Sequence, residues 1–137
     1  MRALPLPCLL LPGLLVVALS GCDDDGGAAT ANGYLECDGA QTCDLECPAT
    51  GECRVEVAGN AQATVRCGTG TCEVDCAAGA RCAVSCKTGD CAVTCTGSAA
   101  CTQRCNAGQC TLTCDAATQS CQQIEGTGDA TCTGCTG

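Results

Sequence analysis

From residue 33 onward the chain repeats one short alternation of apolar and polar positions. Its clearest copies are Cys43-Asp44-Leu45-Glu46-Cys47, Cys72-Glu73-Val74-Asp75-Cys76, Cys82-Ala83-Val84-Ser85-Cys86, Cys91-Ala92-Val93-Thr94-Cys95 and Cys110-Thr111-Leu112-Thr113-Cys114. Apolar residues at i, i+2 and i+4 are the period of a strand with one buried face. Cysteines at i, i+4 would also suit a helix. That reading fails because Val recurs at the centre and a Gly breaks the pattern about every ten residues.

The segments between copies, such as Ala77-Ala78-Gly79-Ala80-Arg81 and Lys87-Thr88-Gly89-Asp90, are short and contain a Gly, which is enough to reverse a strand. A coil of one strand and one turn would enclose almost no side chains. Two strands and two turns make a flattened coil of 19 or 20 residues. Strands starting at 43, 63, 82, 101 and 121 then stack on one face, and those starting at 33, 53, 72, 91 and 110 on the other. A fixed period of this kind is the mark of a solenoid. The expected fold is therefore all-β, a two-sided β-solenoid of about five coils over residues 33–125. At about 4.8 Å per coil it would be a rod roughly 24 Å long.

The same phase places the imperfect copies. Gly33-Tyr34-Leu35-Glu36-Cys37 lacks its first Cys, Cys53-Arg54-Val55-Glu56-Val57 its second, and Ala63-Thr64-Val65-Arg66-Cys67 its first. Cys101-Thr102-Gln103-Arg104-Cys105 and Cys121-Gln122-Gln123-Ile124-Glu125 put Gln at the centre. A buried Gln103 needs a hydrogen-bond partner, and that rung is expected to distort. Residues 126–137 are expected to be a loose tail with a small Cys132-Thr133-Gly134-Cys135 loop.

Strand geometry constrains the cysteines. Cys72 and Cys76 on one extended strand would lie about 13 Å apart, whereas a disulfide needs Cα atoms roughly 4.4–6.8 Å apart. Pairing across each turn is natural: Cys37 with Cys43, Cys47 with Cys53, Cys67 with Cys72, Cys76 with Cys82, Cys86 with Cys91, Cys95 with Cys101, Cys105 with Cys110, Cys114 with Cys121 and Cys132 with Cys135. The two missing cysteines, at Val57 and Ala63, end the same turn. Pairing across the interior, such as Cys72 with Cys86, stays open.

Composition narrows the chemistry. The chain has 137 residues, 20 Cys, 18 Gly, no His, no Trp, no Phe and a formal charge of −9. Without His there is no Ser-His-Asp triad, no Cys-His dyad and no His-ligated metal. A single aromatic residue and an acidic balance disfavour nucleic acid as a partner. No residue set suggests catalysis, and no cofactor is implied.

The N-terminus carries an address. An apolar run, Leu9-Leu10-Leu11-Pro12-Gly13-Leu14-Leu15-Val16-Val17-Ala18-Leu19, follows a single Arg and ends in Leu19-Ser20-Gly21-Cys22. The run has the layout of a secretory signal peptide. Its end resembles the lipobox of bacterial lipoproteins. That resemblance covers the first 22 residues and implies cleavage before Cys22, lipidation of its thiol, and stable membrane anchoring by two or more acyl chains. Residues 1–21 are then the signal peptide, and 22–32, with Asp23-Asp24-Asp25, a lipidated N-terminus and flexible tether. Asp23 resembles a signal for retention at the inner membrane of some Gram-negative bacteria. Inner membrane, outer membrane and cell surface all remain open. Export also puts the other cysteines in an oxidising compartment.

Two functional classes follow. One is a membrane-anchored repeat lipoprotein with a structural, adhesive or interaction role at the cell envelope, partnered by the membrane and by a protein there. The alternative is thiol-based metal binding, as in metallothioneins, although those favour Cys-x-Cys and Cys-x-x-Cys while this chain repeats Cys-x-x-x-Cys. Redox exchange at Cys132-Thr133-Gly134-Cys135 lacks the βαβ context of thioredoxin-like folds. Glu36, Glu56, Glu73 and Asp75 share an expected outer face that could hold Ca²⁺, interleaved with Arg54. The plan is similar to the disulfide-filled β-solenoids of insect antifreeze proteins, but among the predicted strands only Thr111/Thr113 is an outward Thr-x-Thr pair.

Overall fold

The computed structural model describes residues 33–135, which form an all-β solenoid without helices. The expected signal peptide, the Cys22 lipidation site and the tether lie outside the described residues. Eleven strands follow in order: β1 Tyr34–Cys37, β2 Thr42–Glu46, β3 Glu52–Val57, β4 Gln62–Cys67, β5 Thr71–Cys76, β6 Arg81–Cys86, β7 Asp90–Cys95, β8 Ala100–Cys105, β9 Gln109–Cys114, β10 Ser120–Glu125 and β11 Asp129–Thr133. Odd-numbered strands build one six-stranded sheet, β1-β3-β5-β7-β9-β11, and even-numbered strands a five-stranded sheet, β2-β4-β6-β8-β10. Every pairing is parallel. Each short turn therefore carries the chain to the opposite sheet rather than to a neighbouring strand. This lets parallel strands keep the in-out alternation that usually marks antiparallel ones.

Register holds the pattern in ranks. Val55 pairs with Val74, Val74 with Val93 and Val93 with Leu112, and across the interior Leu45, Val65 and Val84 form the facing rank. All of these are buried. The backbone ladder continues round the corners: the Ala77 N–H donates to the Val57 carbonyl at 2.9 Å, and the Thr96 N–H to the Cys76 carbonyl at 2.9 Å. Each coil is thus bonded to the next through both its strands and its turns.

The Gln103 rung is not distorted. Gln103 keeps its register with Val84 and is fully buried. Its Nε2 donates to the carbonyls of Cys91 at 3.3 Å and Thr111 at 3.4 Å, and its Oε1 accepts from Gln123 Nε2 at 3.2 Å. The carbonyls and the next glutamine supply what an aliphatic neighbour would not, so the polar centre is satisfied within the stack.

The expected boundary at 125 is also corrected. Residues 129–133 are no loose tail: β11 adds a sixth strand to the first sheet, with Ala130 opposite Cys110 and Cys132 opposite Leu112. Cys132 thus stands in the central rank, not at a strand end.

Disulfides close the corners across the turns. They join Cys37–Cys43, Cys47–Cys53, Cys67–Cys72, Cys76–Cys82, Cys86–Cys91, Cys95–Cys101, Cys105–Cys110, Cys114–Cys121 and Cys132–Cys135, with Cα separations of 5.7–6.5 Å. No pair crosses the interior from Cys72 to Cys86; each bonds to its own turn partner. One corner carries a continuous column, 47–53, 67–72, 86–91 and 105–110. The column at the other corner is interrupted where Val57 and Ala63 align with Cys76 and Cys82. Both residues are buried there. The double substitution Val57→Cys/Ala63→Cys is expected to add a tenth disulfide. Closing so short a loop contributes about 2 kcal/mol, less about 1 kcal/mol for the trimmed Val57 side chain. Thiol titration should find no new free thiol, and the thermal midpoint should rise. A variant with two titratable thiols would show that this corner cannot accommodate the bond.

Candidate functional site

Apart from Gln103, the interior is filled by sulfur and aliphatic side chains, so the chemistry available to a partner lies on the two outer faces and in the sulfur columns. On the outer face of the odd-numbered sheet, the alternation of β1, β3 and β5 turns Glu36, Glu52, Glu56, Glu73 and Asp75 away from the core. Arg54 sits among them, 3.0 Å from Asp75, 3.5 Å from Glu56 and 3.8 Å from Glu73. The charges of Glu73 and Asp75 hold its guanidinium above its ordinary pKa. Three of the four carboxylates that could have served Ca²⁺, those of Glu56, Glu73 and Asp75, thus already surround a side-chain cation. Tyr34, hydrogen-bonded to the Glu56 carboxylate, has its phenol pushed up.

Toward the C-terminal end the same face changes character. Ala92/Thr94, Thr111/Thr113 and Thr131/Thr133 lie in register on β7, β9 and β11. The face thus holds a second Thr-x-Thr pair beyond the one expected from the repeat, since Thr131 and Thr133 belong to β11 and not to a tail. The available signal was the placement of Ala130 one coil after Cys110.

The even-numbered sheet is more basic, its arginines outnumbering the exposed carboxylates of Asp44 and Glu46. Arg66, Arg81 and Arg104 project from it, and Lys87 follows at its corner. Asp44 pairs with Arg66 at 2.7 Å and, as hydrogen-bond acceptor, raises the Arg66 pKa. A shallow, open groove of about 330 Å³ crosses this face over Thr64, Ala83 and Thr102, between Gln62 and Arg81. Small side chains in adjacent coils make the groove. Asp115, at the opposite corner, accepts from the Gly97 N–H at 3.0 Å and from Thr118 Oγ1 at 2.9 Å. Those donors hold its carboxyl below the usual range.

The structure brings the cysteines closer than the sequence reading did. Besides the bonded pairs, sulfurs of neighbouring rungs gather in threes within 4.8 Å: Cys47, Cys67 and Cys72; Cys67, Cys86 and Cys91; Cys76, Cys95 and Cys101; and Cys121, Cys132 and Cys135. Such groups have the donor type for a soft metal. Every sulfur in them is committed to a disulfide, and a metal ligand must be a thiolate. The spacing of the coils, invisible in a one-dimensional pattern, creates these contacts.

Comparison with protein-family models, curated proteins and solved structures finds no match for this chain, so its function rests on its own geometry and chemistry.

Proposed function

We propose that this chain is an exported lipoprotein, anchored to a membrane of the cell envelope through Cys22, whose stapled solenoid presents its faces to a protein partner. The role is structural, adhesive or recognitive rather than enzymatic. The observation that carries the reading is the pairing of all 18 described cysteines. Such a disulfide density fits an oxidising, exported location, and it leaves no thiolate among the described residues for the metallothionein-like alternative. The two faces differ in charge, acidic and hydroxyl-bearing on one side and more basic on the other, which favours oriented binding over uniform adsorption. The lipobox-like Leu19-Ser20-Gly21-Cys22 supports the anchor.

The anchor is tested by Cys22→Ala. The variant is expected to leave the membrane fraction or to accumulate unprocessed. Detergent-dependent fractionation identical to that of the parent protein would overturn the anchoring. The partner is sought by crosslinking intact cells and comparing charge-reversed faces, Glu73→Lys/Asp75→Lys against Arg81→Glu/Arg104→Glu. Capture that survives both reversals unchanged would overturn recognition through the faces.

A further inference from the structure

The two outer faces of the rod match each other in charge, coil by coil. On the even-numbered face Arg66 stands near the end of β4, Arg81 begins β6 and Arg104 stands near the end of β8. On the odd-numbered face Glu52 begins β3, Asp75 stands near the end of β5 and Asp90 begins β7. These strands make up the second, third and fourth coils, so each cation has a carboxylate at its own height on the opposite side of the rod. Arg81, Lys87, Arg104, Glu52 and Asp90 are exposed and make no salt bridge among the described residues. Arg66 and Asp75 each hold a partner within their own face.

The match also holds across the faces. Cys37–Cys43 ties the end of β1 to the start of β2, and Cys47–Cys53 ties the end of β2 to the start of β3. The strands of one coil therefore run in opposite directions, and an odd strand starts at the corner where an even strand ends. A second copy set directly behind the first, with no shift along the rod, brings Glu52 to Arg66, Asp75 to Arg81 and Asp90 to Arg104. Packed sheets stand about 10 Å apart, a gap that an arginine and a carboxylate reaching from opposite sides can span. Ala83 and Ala92, outward at the middle of β6 and β7, leave room for that approach. In the first coil like charges meet, Asp44 and Glu46 against Glu36, which opposes the contact. We propose that the protein partner is a second copy of this chain, docked odd-numbered face to even-numbered face at equal height. The proposal rests on the reading that the faces recognise a protein, and names that protein.

Such a contact is heterologous, so it continues into rows rather than closing as a dimer. A face of roughly 20 Å by 24 Å buries about 1,000 Å² over both copies, the lower edge of a specific interface. The contact is accordingly weak and favoured by crowding on a shared surface. At physiological salt the facing charges still act at contact, while charges more than about 8 Å away, including much of the chain's net negative charge, are screened.

The test uses Lys87, the single lysine of the chain. Purified mature protein, half of it ¹⁵N-labelled, is treated with a carbodiimide that joins amines to carboxylates. The concentration is about 1 mM, comparable to the effective concentration of tethered modules. A ladder of dimer, trimer and higher bands is expected, with mixed-isotope links from Lys87 to odd-face carboxylates, Asp90 foremost. Monomer alone, a dimer without higher bands, or links to carboxylates off that face would overturn the proposal. Arg81→Glu/Arg104→Glu and Glu52→Arg/Asp75→Arg should each lower the ladder about tenfold, and mixing the two variants should restore a crosslinked dimer. Restoration also shows that both variants fold. An unchanged ladder in either variant, or no restoration, would overturn the pairing. Face-dependent capture of a different protein in intact cells, with no ladder from the purified chain, would overturn the second copy as partner and leave recognition through the faces standing.

Discussion

Full reduction without denaturant is expected to erase the strand signal in circular dichroism, while the oxidised protein keeps it beyond about 90 °C, the range of hyperstable domains. The chain from residue 22 onward contains only ten Val, Leu and Ile residues, a content that ordinarily leaves a chain disordered. Burial of the Val and Leu ranks is therefore a minor support. Each disulfide closes a loop of only five to seven residues in all but the last case, a separation of three. One such closure contributes about 2 kcal/mol. Several together match the whole net stability of an ordinary domain, about 5–15 kcal/mol. Strand signal surviving reduction would mean that the aliphatic ranks and the backbone ladder suffice alone. Zn²⁺ or Cd²⁺ added to the reduced chain is expected to restore nothing; recovery of structure at a fixed stoichiometry would instead favour the metallothionein-like reading.

Gly89→Ala is expected to destabilise the oxidised protein far more than Gly51→Ala, although both glycines occupy the same corner at nearly the same backbone angle, φ +103° and +99°. An alanine at either position has the cost of a left-handed conformation, about 1–3 kcal/mol. At Gly51 the added Cβ meets nothing within 4 Å. At Gly89 it would stand 2.5 Å from the Gly70 carbonyl oxygen and 2.6 Å from that of Thr69, both backbone atoms of the coil before. Both are backbone, and Thr69 is tied to the coil before it through its N–H to the Ala49 carbonyl at 2.9 Å, so relief requires a backbone shift, which adds at least about 2 kcal/mol, the scale of overpacking a rigid site. Chemical denaturation midpoints of the two variants give the difference directly. Equal losses would show that the corners open without cost to the coils they join.

Period and phase were legible because the fold is a repeat, and one clear copy, Cys72–Cys76, fixes the rest by translation. Val57 and Ala63 stand at the two cysteine positions of a single turn; a disulfide needs both ends, and that paired absence makes the turn partners readable. Two things escaped. Gln103 looked like a defect because its partners, the Cys91 and Thr111 carbonyls and Gln123, lie 8 to 20 residues away and become neighbours only after stacking. Asp129–Thr133 looked like a tail because its central position holds Cys132 where Val or Leu was sought. The candidate faces were legible as alternating positions. Contact between separate disulfides was not, since it depends on the distance between coils rather than on order along the chain.

The alternation of strands between two sheets also bears on how such a gene can change in length. Cys72 and Cys91 occupy equivalent places one coil apart. An in-frame loss of residues 72–90 would join Thr71 to Cys91, leave both sheets, both corner types and the glycine column in phase, and shorten the rod by one strand spacing. A loss of half that length would carry every later strand to the opposite sheet, exchanging the acidic side for the basic one beyond the junction. Recombination between repeats is thus accommodated in whole coils and penalised in halves. The length of the rod can be inherited as an integer, while its sidedness is a parity that each in-phase change keeps.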